Sequence, residues 1–279
     1  KALGSVKVLD LSQVYSGCFC AMLLRELGAE VIKVELPEVG SAIRGMPPFT
    51  KGSESYTSVI LNRGKKSITL DLKSDEGREI AGQLIKRADV LIQNFMPDVM
   101  DRLGFDYEKA SKINPGLIYA SISGFGHTGP YHSQPAYDIV AQAMGGLMSI
   151  TGFSNNPPTK AGPAIADFVG ALYATISILA ALQYRHKTGE GQEIDISLQD
   201  CIWAITAVEF SPPHFLEGEV PQGLGNGLLN VVPYGAYPAK DGYVVIPIAN
   251  VGQWERFAKL MGKEDLIRDP ESTTLRERV

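Results

Sequence analysis

The sequence predicts an α/β protein with a doubly wound, mostly parallel sheet in a Rossmann-like large domain, together with a smaller second domain. The first observation behind this prediction is a β-α-β pattern. Residues 6–11 and 30–35 are short apolar segments typical of buried strands, and residues 18–27 form a helical segment that stops at Gly28. Because strands joined through a helix pair in parallel, the pattern predicts the start of a parallel sheet.

The second observation is that the alternation of strands and helices continues to about residue 125. The acidic segment after Ser74 starts a helix that runs to about Arg87. A later strand leads into a helix from about Leu198. The predicted strands of this part are residues 67–71, 88–93, 117–123 and 193–197, with a further strand at 243–248 and a short helix at 253–261.

The third observation is the longest uncharged run of the chain, residues 168–184. Asp167 precedes this run, and the cations at residues 185–187 and then Gly189 follow it. An acidic start, a cationic last turn and a glycine stop are typical of a helix, so the run predicts a buried helix with Asp167 as its N-cap. The run is slightly too short for a membrane span, and polar residues interrupt it. We therefore expect a core helix.

Asp167 has two interpretations at this point. It caps the helix and does nothing else, or it is a carboxylate that apolar neighbours hold in place as a nucleophile or base. The helix pattern alone favours the cap.

The domain organisation follows from a Gly/Pro-rich segment at residues 212–232. Such a segment is a plausible linker. The sequence therefore predicts a large Rossmann-like domain at residues 1–215 and, at residues 216–279, a linker and the start of a small domain.

Composition excludes several classes of function. A net charge of −5 argues against nucleic acid as a partner. The three cysteines are odd in number and lack zinc-site spacing, which predicts free thiols in a reducing compartment. Residues 1–6 lack the apolar segment of a secretory signal, so we expect a cytoplasmic protein without a membrane span. No HExxH or GxSxG motif is present, which argues against a catalytic metal and against an ordinary serine hydrolase.

The first βα turn, residues 12–17, matches a dinucleotide site only in part. Glu35 ends the second strand, where dinucleotide folds place an acidic residue on the ribose. The turn lacks GxGxxG, however, so NAD binding is disfavoured. A helix N-terminus at this place can still receive an acyl or phosphate group.

Three cations lie within residues 62–66. They form either a solvated charge run or an anchor for a phosphorylated ligand, which Arg44, Lys73 and Arg102 would then extend. Residues 93–95 end a strand, at the edge where open α/β sheets bind ligands. His127 and His132 flank a glycine loop and are weaker candidates for acid/base chemistry.

Taken together, these segments resemble the family III CoA-transferases, which include formyl-CoA transferase and carnitine CoA-transferase, and their relatives the α-methylacyl-CoA racemases. Any one match is weak, but their order along nearly the whole chain is specific. The matching segments are residues 8–11 with Gly17, and residues 27–35, 62–68, 70–73, 94–95, 124–131, 136–138, 166–167, 187–192, 232–234 and 240–243.

The resemblance implies a role for Asp167. In this family the matching Asp attacks an acyl-CoA thioester, and CoA then passes through an aspartyl thioester to an acceptor carboxylate. Gln13, Tyr15 and Tyr137 would contact the substrate. No permanently bound cofactor is implied, because CoA and acyl-CoA are substrates, and the other partner is a small carboxylic acid.

The resemblance also implies CoA contacts, although in this chain Leu36 and Pro37 stand where many relatives have a cation. The implied pantetheine contacts are Val14 and Ser16. The implied adenine and phosphate contacts are Leu70, Lys73, Asn94, Phe95 and Arg102, and the missing cation shifts weight to Arg44.

Two alternatives stay open. The racemase branch has a His where this chain has Tyr137, and a phenol is a poorer base than imidazole at neutral pH, which favours the transferase. The second alternative is a non-catalytic acyl-CoA binder. Relatives form interlocked homodimers and are longer, so we expect such a dimer and expect the small domain to continue beyond residue 279.

Overall fold

The computed structural model describes residues 1–50 and 52–279. Strands and helices alternate through its first two thirds, as the sequence predicts. In chain order the elements are β1 (Lys7–Asp10), α1 (Ser16–Glu26), β2 (Glu30–Glu35), a 3-10 turn (Ala42–Gly45), α2 (Tyr56–Asn62), β3 (Lys66–Thr69), α3 (Asp75–Arg87), β4 (Val90–Gln93), α4 (Val99–Leu103), α5 (Tyr107–Ile113), β5 (Ile118–Ser123), α6 (Asp138–Met144), α7 (Leu147–Ile150), α8 (Ile165–Thr188), β6 (Gln192–Ser197), α9 (Leu198–Pro212), a π turn (Pro213–Glu217), β7 (Tyr234–Ala239), β8 (Gly242–Pro247), α10 (Val251–Leu260), a 3-10 turn (Glu264–Ile267) and α11 (Leu275–Arg278).

The first six strands form one fully parallel sheet in the order β3-β2-β1-β4-β5-β6. The predicted α/β fold is therefore confirmed. The strand order reverses direction between β1 and β4, where Val8 pairs with Val90. In open sheets of this kind, ligands bind beyond the carboxyl ends of the strands at such a switch point.

The chain divides into two compact units. One comprises residues 1–145 and 162–205, and the other comprises residues 146–161 and 206–279 and contains the antiparallel β7–β8 pair. The division after residue 205 lies ten residues before the predicted one. It falls inside helix α9, seven residues before the helix's proline, Pro212, so no glycine or proline stands at the division itself.

Helix α8 packs against α1, β5 and β6. Small residues on its buried face, such as Gly170, Ala171 and Ala174, allow this close approach. Among the described residues, α8 is the one helix whose length and hydropathy would also suit a membrane span, and 39% of its apolar window is buried within the protein. Its contacts with the sheet are those of a core helix.

Candidate active site

A cavity of about 420 Å³ opens at the switch point of the sheet. It lies beyond the carboxyl ends of β1, β4 and β5, and Asp167 is part of its wall. Eight of the predicted site residues meet here although they are far apart in the chain. The lining residues are Gln13, Val14, Tyr15, Ser16, Ala42, Asn94, Phe95, Met96, Pro97, Ile122, Ser123, Gly124, His132, Gln134, Pro135, Ala136, Tyr137, Asp167 and Leu198.

Asn94 fixes the loop that lines one side of the cavity. Its Oδ1 accepts a hydrogen bond from Gln13 N at 2.6 Å, and its Nδ2 donates to Gln13 O at 2.8 Å and to Ser16 Oγ at 3.1 Å. Both amide donors are thus used within the protein. The resemblance implied an adenine or phosphate contact for Asn94, whereas in the structure its side chain holds the β1–α1 loop.

Val14, in the same loop, has a φ of +55°. A β-branched residue is an outlier in this left-handed region, and such a conformation costs about 1–3 kcal/mol. It persists only where surrounding contacts determine the backbone. Val14 therefore marks the β1–α1 loop as a segment that the fold holds in an unfavourable conformation at the cavity.

Asp167 is the third residue of α8, and the helix begins at Ile165 with Ala164 as its N-cap. The prediction that Asp167 itself caps the helix is wrong. The cap comes from α6, because Asp138 Oδ1 accepts hydrogen bonds from Ala166 N at 2.8 Å and Asp167 N at 3.4 Å. The Asp167 carboxylate is thereby left to face the cavity.

The surroundings of Asp167 make it an unusual carboxyl group. Burial raises its pKa, the charge of Asp138 raises it further, and the Ser16 hydroxyl opposes both, with a resulting pKa of about 7. Its neighbour Phe168 packs edge-on against Tyr15 and Phe19, so the residue next to Asp167 belongs to an aromatic cluster. A carboxylate that is weakly solvated and ionises near neutrality is suited to nucleophilic or base chemistry.

Tyr137 stands at the N-terminus of α6 and is 78% exposed. Its ring lines the cavity, so the hydroxyl is available to a ligand. His132 lies in the same wall, where one imidazole nitrogen contacts Gly129 O at 2.8 Å. His127 has its backbone N bonded to Asp195 at 2.8 Å and does not line the cavity.

Ser123 is a residue that the sequence analysis missed. It ends β5 and is 91% buried, and its Oγ finds no hydrogen-bond partner among the described residues. A buried hydroxyl without a partner is costly unless a ligand or water satisfies it. Its position at the carboxyl end of a parallel strand was the available signal, and a strand-ending serine is too common to single out.

Four predicted CoA contacts lie outside this cavity. Arg44 forms a two-pronged ion pair with Glu35 at 2.9 Å, which lowers the pKa of Glu35 to about 2 against the effect of its burial. Leu70 is part of the hydrophobic core, so its side chain is withdrawn from the surface. Lys73 and Arg102 are exposed beyond the cavity, and their phosphate contacts stay predictions.

The three cations at residues 62–66 differ in their exposure to solvent. Arg63 and Lys66 form exposed ion pairs with Glu26 and Glu30, as a solvated charge run would. Lys65 is buried and contacts Asp10 at 2.8 Å. The alternative of a phosphate anchor is therefore wrong for Lys65, because its ammonium group points into the protein.

In the described part of the chain, no group of three or more His, Cys, Asp or Glu side chains lies close enough together to hold a metal ion. The described lining of the cavity contains one carboxylate, that of Asp167, with hydroxyl, amide and imidazole neighbours.

Comparison with known proteins identifies close relatives. The family model described as "CoA-transferase family III" matches residues 3–279. A succinyl-CoA:mesaconate CoA-transferase of Haloarcula hispanica is 42% identical over 279 residues, which cover 96% of this chain and 69% of that protein. A formyl-CoA:oxalate CoA-transferase of Streptomyces coelicolor is 38% identical, covering 100% of this chain and 71% of that protein.

Solved structures give the same result. The crystal structure of a CAIB/BAIF family protein from Brucella suis has a TM-score of 0.85 and 40% sequence identity. The match covers 99% of this chain and 74% of that chain.

Proposed function

This chain belongs to CoA-transferase family III, and on that premise we propose that it transfers CoA through a covalent intermediate on Asp167, with a small dicarboxylic acid as acceptor. The observation that carries the mechanism is the Asp167 carboxylate itself. It lies in the wall of the switch-point cavity, its helix is capped by another residue, and its pKa is about 7. An ionised and weakly solvated carboxylate is a better nucleophile than a solvated one.

The first half-reaction makes and breaks two bonds. An Asp167 oxygen attacks the thioester carbonyl, the C–S bond breaks, and CoA thiolate leaves behind a mixed anhydride. The thiolate then attacks the aspartyl carbonyl of this anhydride and releases the donor as a free carboxylate. Asp167 now carries CoA as a thioester.

The second half-reaction is the same sequence in reverse with the acceptor acid. The acceptor carboxylate attacks the aspartyl thioester and expels CoA thiolate, which gives a second mixed anhydride. Attack of the thiolate on the acceptor's acyl carbon yields the new acyl-CoA and frees Asp167. No net proton transfer is needed in either half-reaction.

The protein's other groups position and stabilise these species. Asp138 holds the first turn of α8 through backbone bonds and thereby orients Asp167. The unpartnered Ser123 hydroxyl and the exposed Tyr137 hydroxyl are the donors we assign to the oxygen that becomes negative in each tetrahedral intermediate. Preorganised donors of this kind are effective because they need no reorientation during the reaction.

The acceptor class follows from the relatives and from the cavity. The names of the two CoA-transferases compared above include mesaconate and oxalate as acids, both of them dicarboxylates. Among the residues that the structure describes, the lining contains no Lys or Arg. We therefore assign the remote carboxylate of the acceptor to amide and imidazole donors, namely Gln13, Gln134 and His132.

We also propose an interlocked cytoplasmic homodimer in which residues 146–161 and 206–279 form part of a smaller domain. The support from the comparisons is membership of the family and the greater length of the relatives, of which the match covers 69% and 71%. Apolar side chains on α8 support a covered surface, since Leu172 and Ile176 are 46% and 62% exposed.

The test of the mechanism is to trap the intermediate. The protein is mixed with a panel that includes succinyl-CoA, formyl-CoA and acetyl-CoA, then treated with borohydride or hydroxylamine, and its intact mass and peptides are measured. We expect a modified peptide whose altered residue is Asp167. A label on another residue, or turnover without any label, would contradict the mechanism. Exchange of an α-proton of a 2-methylacyl-CoA with deuterated solvent, without CoA transfer, would indicate a racemase instead.

The pH dependence supplies a second prediction. Because Asp167 must be ionised to attack, kcat/KM should fall as the pH drops below about 7, the pKa of this carboxyl group in the free protein. Asp138→Asn keeps an oxygen acceptor for Ala166 N but removes the charge that raises this pKa, so the inflection should move to lower pH.

Asp195→Asn is the matched control for the pH prediction, since Asp195 bonds His127 N outside the cavity, whereas burial, Asp138 and Ser16 are what shift the pKa of Asp167. The measurement is kcat/KM between about pH 5 and 9, a range that brackets the raised pKa of Asp167. An inflection that stays in place in Asp138→Asn, or moves equally in both variants, would refute the assignment.

A further inference from the structure

A buried charge cluster, formed by Asp10, Lys33 and Lys65, contacts the β1–α1 loop. All three side chains are at most 2% exposed. Asp10 Oδ2 lies 2.8 Å from Lys65 Nζ and 3.5 Å from Lys33 Nζ. Asp10 Oδ1 accepts hydrogen bonds from Ser12 N at 2.9 Å and from Ser12 Oγ at 2.5 Å. One carboxylate therefore joins two ammonium groups to the first residue of the loop.

Each lysine of the cluster also holds a backbone carbonyl. Lys33 Nζ donates to Ser12 O at 2.7 Å, and Lys65 Nζ donates to Cys18 O at 3.0 Å. These two carbonyls stand immediately before and immediately after residues 13–17. The cations thus fix both ends of the segment that lines the cavity, while Asn94 fixes it in between.

Residues 13–17 have a backbone conformation that requires support from surrounding contacts. This segment contains Val14, whose left-handed backbone is unfavourable for a β-branched residue. It also contains Ser16, which influences the pKa of Asp167. If either end of the segment were released, we would expect Val14 to relax to an extended or right-handed conformation and the cavity wall to change.

We propose that the buried charge cluster is a positioning device for catalysis, which keeps residues 13–17 in the conformation that lines the cavity beside Asp167. This inference rests on the proposed function, because the transfer reaction is what requires the loop in place. It assigns Lys65 a role inside the protein, where sequence reasoning had offered a phosphate anchor or a solvated surface.

Stability alone is a poor explanation for such a cluster. Well-packed apolar side chains often replace buried ion pairs without loss of stability, because the desolvation of the charges is costly. Specific geometry is what ammonium groups add, since each one donates up to three directed hydrogen bonds. Lys65 uses this capacity on Asp10, Cys18 O and Asn62, the last at 3.0 Å.

The experiment compares Lys65→Met with Lys66→Met in the full chain. Lys66 is the adjacent residue, is 69% exposed and pairs with Glu30 on the surface, so it controls for loss of a cation in this segment. Hydrogen–deuterium exchange of residues 12–22, the melting temperature, kcat and KM are measured for both variants and the wild-type protein.

In Lys65→Met we expect the amides of residues 12–22 to exchange at least about tenfold faster than in the wild-type protein. We also expect kcat to fall by about 10- to 100-fold, with a smaller change in KM, because misplacement of reacting groups slows the reaction. Exchange elsewhere in the sheet should rise less than exchange of residues 12–22. Lys66→Met should match the wild-type protein in every measurement.

Three results would overturn the proposal: equal exchange of residues 12–22 in both variants, faster exchange with an unchanged kcat, or a loss of kcat that follows global destabilisation alone. Because exchange needs no turnover, it tests the loop even if the chain fails to transfer CoA, and failure of the proposed function is thereby distinguished. Should Lys65→Met not fold, Lys33→Met repeats the comparison from the Ser12 end of the loop.

Discussion

Replacing Asp167 by asparagine should reduce kcat for CoA transfer by about 10⁴-fold or more, the scale on which loss of a covalent nucleophile acts. An amide oxygen is not a nucleophile toward a thioester. The substitution conserves shape, and the bonds from Asp138 go to backbone N–H groups, which the variant keeps. Helix α8 should therefore start at the same residue, and the dissociation constant for CoA should change little.

Steady-state transfer and calorimetric CoA binding check this result together. Asp167→Glu is the matched control, because it keeps the charge but displaces it by one methylene. We expect a loss of about 10²-fold for that variant, since a shift near 1 Å already has such an effect. Deamidation would regenerate aspartate, so the mass of Asp167→Asn must be verified before and after the assay. Retained turnover would place the nucleophile elsewhere, and parallel loss of CoA binding would make Asp167 a binding residue.

The sequence predicted the fold and much of the cavity for one physical reason. Parallel strands end at the same edge of a sheet, so segments that follow β1 and β4 must meet, whatever their separation in the chain. Gln13 and Asn94 are 81 positions apart and yet exchange two hydrogen bonds. Asp167 was a candidate from the helix pattern, and the resemblance assigned it the role of nucleophile and added Tyr137. Both residues lie outside the strands, where strand order alone does not place them.

Side-chain partners across the fold were beyond the reach of the sequence. The cap of α8 comes from Asp138, which is 28 positions away from Ala166, so a local pattern assigned the cap to Asp167 instead. Lys65 and Lys66 are adjacent and chemically identical, yet one is buried and the other exposed. The difference follows from their partners, the buried Asp10 for Lys65 and the surface residue Glu30 for Lys66, which a charge count does not reveal.

The ion pairs of Arg44 and Lys65 illustrate the same limit. Each was a candidate for phosphate binding because free cations suit that role. Each instead neutralises a carboxylate at the end of a neighbouring strand, Glu35 at β2 and Asp10 at β1. Cations near strand ends are therefore ambiguous until the carboxylates beside them are placed.

Replacing Asp10 by alanine should lower the free energy of unfolding by about 3–5 kcal/mol, the cost of leaving buried charge without its partner. Asp10 is fully buried and is the carboxylate that contacts both Lys33 and Lys65. Burial alone would raise its pKa, but the two ammonium groups outweigh this effect and lower it. The charged form of Asp10 is thus more stable, relative to the protonated form, in the folded protein than in the unfolded chain.

Urea unfolding at pH 7 measures this loss, and Glu30→Ala is the control. Glu30 pairs with Lys66 on the surface, where water screens the charge, so its removal should change stability little. Since the folded-state pKa of Asp10 is lowered, its stabilisation is present above the ordinary carboxyl pKa and is lost as the pH falls below it. The stability difference between wild type and Asp10→Ala should therefore shrink in acid. A difference no larger than that of Glu30→Ala would mean that water or a rearranged lysine compensates the cluster, and the loop would then be held by Asn94 without it.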